Sequence, residues 1–107
     1  MSKLRFKNQK KYLNWIHELG CSTQNPKCQG PIQAHHLLKP WAGPRGMGMK
    51  ADDRNVIPLC MGCHAELHTQ YGDEEKFFES RDLPANYGRA MAEHLYMEGH
   101  KAGLIGK

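Results

Sequence analysis

The stretch Asn55-Val56-Ile57-Pro58-Leu59-Cys60-Met61-Gly62-Cys63-His64-Ala65-Glu66-Leu67-His68 decides how the chain is read. Asn55–Leu59 is a short apolar run and is expected as a strand; Pro58 lacks an amide donor, which puts that strand at an edge or beside a bend. The run passes directly into Cys60-x2-Cys63, a thiol pair at metal-ligand spacing. No breaker intervenes between Cys63 and Gln70, so a helix is expected to open at Cys63 and close at Tyr71-Gly72. Four residues apart on that helix, His64 and His68 stack on one face, an arrangement that grips a single ion. Glu66 falls on another face and is expected in solvent.

Toward the N-terminus, Ile32–Leu38 reads as a second strand ending before Pro40. Adjacent strand residues point to opposite faces, so His35 and His36 cannot easily serve one ion together, and one of them must do something else. The segment from Lys39 to Arg54 contains Pro40, Gly43, Pro44, Gly46 and Gly48 with Lys39, Arg45, Lys50 and Arg54. It is expected as a mobile loop, and long basic loops in small domains are usually functional. The expected order is therefore strand, loop, strand, helix.

Cys21–Gly30 is rich in turn residues (Ser22, Asn25-Pro26, Gly30) and suits a knuckle around a metal held by Cys21 and Cys28. With Cys60 and Cys63, four thiolates close a tetrahedral zinc site. Buried free cysteines would sit in apolar surroundings rather than turns. Disulfides would need an oxidising compartment, whereas the N-terminus lacks the apolar core of a secretory signal and a cytoplasmic location is expected. Such a site contributes on the order of 10 kcal/mol. With 8% aromatic residues, 11 Gly and 6 Pro, the core is thin and a staple is needed.

At 107 residues, a single domain is expected, residues 1–107, with a basic arm over 1–11, a zinc-stapled core over 21–70 and a helical extension over 73–107. Leu13, Ile16 and Leu19 recur at helical spacing beside Trp15, with Gly20 at the C-cap position. Asp73-Glu74-Glu75 forms an acidic first turn before Phe77 and Phe78; Pro84 breaks the chain, and Asn86 is expected to cap a last helix. His17, His94 and His100 lack a partner pattern and are read as ordinary surface residues. Fifteen basic against eleven acidic residues leave a net charge of +4, which favours a polyanionic partner. No apolar run is long enough for a membrane span.

Ala34-His35-His36, followed by Asn55-x4-Cys60-x2-Cys63-His64-x3-His68, resembles the HNH endonucleases, over about residues 21–70. Gly46-Met47-Gly48-Met49-Lys50 and its flanks look closest to small phage and prophage HNH nucleases linked to recombination. The resemblance implies an α+β fold with a ββα-metal core, stapled by the four-cysteine zinc and flanked by helices. It also implies that His35, His64 and His68 ligate a catalytic cation (Mg²⁺, Mn²⁺, Ni²⁺, Co²⁺ or Zn²⁺). His36 would be the general base, with Asn55 holding the loop and so orienting His36. The substrate would be DNA, hydrolysed to 5′-phosphate and 3′-hydroxyl ends. One departure is the six residues between Cys21 and Cys28, where many members of that family have two.

Lys39, Arg45, Lys50 and Arg54 are expected to meet the sugar-phosphate backbone with weak sequence preference, Lys50 foremost because the glycines before it permit close approach. A homodimer or a recombination protein is a further expected partner, no membrane is, and the location would be a bacterial host cytoplasm if the chain is phage-encoded. The competing expectation is a zinc-knuckle module that binds nucleic acid without cutting it, against which the spare histidine at 35 or 36 speaks.

Overall fold

The computed structural model describes residues 10–24, 28–41 and 53–104. Helix α1 (Lys10–Glu18) precedes strand β1 (Ile32–His36); a 3-10 turn (Asp53–Asn55) then leads into strand β2 (Val56–Cys60). Helix α2 (Met61–Glu66), a π turn (Leu67–Tyr71), α3 (Glu74–Glu79) and α4 (Tyr87–Lys101) complete a mixed α+β architecture.

The two strands pair antiparallel, Ile32 opposite Cys60 and His36 opposite Val56. Pro58 faces Ala34, yet its carbonyl turns away from β1 and accepts the Ser22 amide at 2.9 Å, so its missing N–H takes nothing from the ladder. All five β2 residues are buried. Ile57 and Leu59 join a core with Leu37, Leu67, Phe77 and Phe78, while Val56 joins Tyr12, Ile16 and Leu95. Helices cover both faces of the strand, which is why its sequence is continuously apolar rather than alternating.

Several local expectations shift. β1 ends at His36 rather than Leu38, and β2 starts at Val56 and runs to Cys60 rather than Leu59; the Leu37 amide still donates across to the Asn55 carbonyl at 2.8 Å, but Asn55 there belongs to the 3-10 turn. The helix after β2 opens at Met61, not Cys63: Cys60 is its N-cap and its sulfur accepts the Cys63 amide. Past Glu66 it widens to a π turn, closed by Gly72 at φ 61 with its amide on the Leu67 carbonyl. Gly20 is not among the described left-handed glycines, so α1 ends without the glycine cap expected there. Asn86 precedes α4 but caps with its backbone carbonyl, accepting from Ala90, and not with its side chain. Asp73 does cap α3, accepting the Glu75 amide at 2.9 Å.

Gly88 is where α4 meets the core most closely: a Cβ there would stand 2.8 Å from Phe78 and 3.2 Å from Leu37. Gly88→Ala is accordingly expected to lower stability by about 1–3 kcal/mol through overpacking, read as a lower urea midpoint with unchanged slope.

Candidate metal centres

Cys21, Cys28, Cys60 and Cys63 come together, with their sulfurs all within 4.8 Å of one another and Cys28 and Cys63 3.9 Å apart. Four sulfurs about 2.3 Å from a shared zinc stand about 3.8 Å apart in a tetrahedron, so the set fits a structural zinc. Two backbone amides, Gln29 at 3.2 Å and Cys63 at 3.4 Å, point at the Cys60 sulfur. The Thr23 hydroxyl lies 3.2 Å from Cys21, 3.4 Å from Cys63 and 3.6 Å from Cys28. Cys21 belongs to the set despite the long six-residue spacing: the Gln24 amide donates to its carbonyl at 3.1 Å, and the Ser22 amide ties the segment to the Pro58 carbonyl of β2.

Burial by itself would raise the Cys21 thiol, but hydrogen bonds from Thr23 and from the Cys60 and Thr23 backbone bring it down to about 7. Burial pushes Cys63 up to about 12. Crowded sulfurs in a dry site cannot all ionise without a cation to take up the charge. Arg81 supplies part of that compensation: its guanidinium lies 3.9 Å from the Cys63 sulfur, forks onto both Glu66 oxygens at 2.8 and 3.2 Å, and covers the Phe77 ring. Its side chain is 6% exposed. Glu66 is therefore half-buried in an ion pair and not in solvent as its helix position suggested; Arg81, on the turn after α3, is too distant in sequence to have been foreseen.

The second cluster is His35, His64 and His68, whose ligand nitrogens also lie within 4.8 Å of one another. The i, i+4 spacing of His64 and His68 survives the change from α to π turn, with ring centroids 4.8 Å apart; His35 is 5.0 Å from the first and 5.4 Å from the second. Nitrogens gathered this closely form a set that could hold one ion. His64 stays neutral because burial, reinforced by His35 and His68, lowers it to about 4; His68 is lowered by burial and by His35, with Glu74 pulling the other way. Neutral imidazoles are the ligand form. His64 also donates from Nδ1 to Gln33 Oε1 at 2.7 Å, leaving Nε2 as its acceptor nitrogen.

His36 takes no part in the trio. It is 23% exposed and pairs through Nε2 with Asp53 Oδ1 at 2.8 Å, yet it shares with the other three histidines the wall of one open concavity of about 220 Å³. Opposite strand faces thus do not separate His36 from the trio, since it ends β1 where the chain leaves the ladder. Asp53 is the carboxylate paired with His36, while Asn55, expected to hold the loop, is fully buried, accepts the Trp41 amide on Oδ1 at 2.7 Å and ties together the chain on either side of residues 42–52. Trp41 adds a bond from Nε1 to the Arg54 carbonyl at 2.8 Å. Asp53, two residues before Asn55 in the sequence, was legible only as one acid in a basic loop.

Lys39 is exposed beside the concavity with Nζ 3.2 Å from Glu75, which Arg89 also approaches at 3.4 Å. Arg54 is the middle residue of the 3-10 turn. Arg45, Lys50 and the arm over 1–9 lie outside the described residues. His17, His94 and His100 are exposed, as expected. None of the described helices is long and apolar enough to cross a membrane.

Residues 2–88 match the family described as "Protein of unknown function (DUF968)". The chain belongs to that family. The match spans both clusters, together with Asp53, Glu74 and Arg81, and stops just inside α4. The chain is also similar to the "Uncharacterized protein YdfU" of Escherichia coli strain K12, at 39% identity over 86 residues covering 78% of this chain. It spans 23%, about a quarter, of that protein's length. No solved structure matches.

Two outcomes are expected. Stripping metal with a strong chelator, or replacing Cys28 with Ser, should collapse the amide dispersion of the NMR spectrum; a dispersed spectrum without bound zinc would contradict a structural role. Because the folded pKa of His64 lies below its ordinary 6.5, its contribution is present above that pH and is lost as pH falls toward about 4. The urea midpoint should therefore fall across that window, less so in His64→Gln, the comparison that separates this effect from thiolate protonation.

Proposed function

We propose that the chain is a metal-dependent HNH-type endonuclease domain that hydrolyses DNA phosphodiester bonds. The observation that carries this reading is one concavity walled by three convergent histidines and a fourth that is held separately by a carboxylate. A closed structural site has no use for that fourth ring. The antiparallel strands followed by a helix, with both clusters on the β2–α2 junction, agree with a ββα-metal core.

His36 acts as the general base. Nε2 is engaged by Asp53, so Nδ1 is the nitrogen left to take a proton from water. The resulting hydroxide attacks phosphorus, the bond to the 3′-oxygen breaks, and that oxygen is protonated by solvent, leaving 5′-phosphate and 3′-hydroxyl ends. Asp53 keeps the ring in this tautomer and stabilises the imidazolium that forms, the role of the carboxylate in a Ser-His-Asp triad. A divalent cation on His35, His64 and His68 would bind the scissile phosphate and neutralise charge developing on the leaving oxygen. Three imidazoles favour Mn²⁺, Co²⁺, Ni²⁺ or Zn²⁺ over Mg²⁺. Lys39 and Arg54, with Arg45 and Lys50 between them in sequence, contact the sugar-phosphate backbone, a phosphate replacing Glu75 as the partner of Lys39. The recombination setting implied by the resemblance is part of the same proposal.

Supercoiled plasmid incubated with zinc-loaded protein and Mn²⁺ should be nicked, and EDTA should stop it. His36→Ala should reduce the rate roughly 10²–10⁴-fold with DNA binding retained, and Asp53→Asn by roughly 10²-fold or more, because an amide can reverse the tautomer. Binding without cleavage by the unsubstituted protein under all these ions would instead establish a nucleic-acid-binding module.

A further inference from the structure

Among the described residues, Glu74 is the one buried acid whose bonding the proposed reaction does not use. It is the first residue of α3, only 4% exposed, and all of its hydrogen bonding is directed at the end of β1. Oε2 faces His35 Nε2 at 2.6 Å and accepts the Leu38 amide at 2.6 Å; Oε1 accepts the Lys39 amide at 3.1 Å. A carboxylate buried this deeply is retained only when its oxygens are satisfied, and here the donors are two backbone amides and an imidazole.

The two amides can only donate. They orient the carboxylate so that the oxygen nearest His35 already carries one N–H and presents its remaining lone pair to Nε2. With the carboxylate ionised and the ring neutral, Nε2 bears the proton and Nδ1 keeps the free lone pair. We propose that Glu74 is the positioning residue that commits His35 to binding a cation through Nδ1, so that α3 belongs to the histidine centre. This inference rests on the reading of His35, His64 and His68 as a metal site. His35 is 1% exposed, so no water competes to set its tautomer. The arrangement differs from that of His64, where Gln33 bonds Nδ1 and frees Nε2, so the two rings reach a shared ion by opposite nitrogens. The same carboxylate anchors the backbone of Lys39, coupling the site to a residue proposed to contact DNA.

A purely structural Glu74, stapling α3 to the chain after β1, would lower thermal stability without altering the ion affinity of the molecules that stay folded. The test uses the full chain with zinc on the cysteines. Long-range ¹H–¹⁵N spectra of the unsubstituted protein, free of a second metal, should show His35 as the Nε2–H tautomer; an Nδ1–H tautomer overturns the proposal with no variant needed. Co²⁺ titration should then show a second equivalent bound, and Glu74→Gln should weaken it about 10–100-fold while the first, zinc-filled site and the circular dichroism are unchanged. Equal affinity in Glu74→Gln overturns the role of Glu74 and leaves the metal reading standing. No second equivalent in the unsubstituted protein removes the metal reading itself, and this inference with it.

Discussion

Four sulfurs from two distant stretches of chain must share one small volume, and most of the molecule is arranged around that requirement. The knuckle brings Cys21 and Cys28, while Cys60 and Cys63 come from the turn that ends β2 and begins α2. Bringing them together closes the chain around β1 and fixes the direction in which α2 leaves the sheet. Burial pushes the Cys63 thiol up, whereas hydrogen bonds from Thr23 and the Cys60 backbone bring Cys21 down against its own burial. Arg81 and the amides of Gln29 and Cys63 lessen the cost of gathering negative charge there.

The histidine cluster inherits its geometry from that arrangement. Cys63 and His64 are neighbours on α2, so whatever orients one orients the other, and His68 follows one turn later. The opposite wall comes from the last residues of β1. Hydrogen bonds then decide what each ring does: Gln33 holds His64, Glu74 faces His35, and Asp53 holds His36. Three histidines with three different partners form a differentiated site rather than a patch of polar surface. That differentiation is the physical basis for the proposed division between cation binding and proton transfer.

Spacing within a single element was readable from the residues. His64 and His68 meet because any helical backbone, α or π, brings i and i+4 to one side, and the apolar run before Cys60 was readable as a strand, though as one at an edge or beside a bend rather than one buried on both faces. The partners of those residues were not readable. Asp53, Glu74 and Arg81 sit respectively in a basic loop, in what looks like an ordinary acidic first turn, and after a helix. Each acquires its role through a contact across many residues, and no local pattern encodes it. Glu66 shows the opposite failure: its helical position indicated solvent, and only the approach of Arg81 from the turn after α3 covers it.

By itself, the sequence determined the inventory of ligands, the order of strand, strand and helix, and the local pairing of Cys60 with Cys63 and of His64 with His68, since these follow from periodicity and the stereochemistry of neighbouring residues. The tertiary structure decided which nitrogen of each histidine is free, which acid lies behind it, and that His36 shares a concavity with a trio it does not join. Those outcomes depend on side chains brought from α3 and the 3-10 turn to within hydrogen-bond distance of β1, and distance in space is what a linear pattern of residues does not carry.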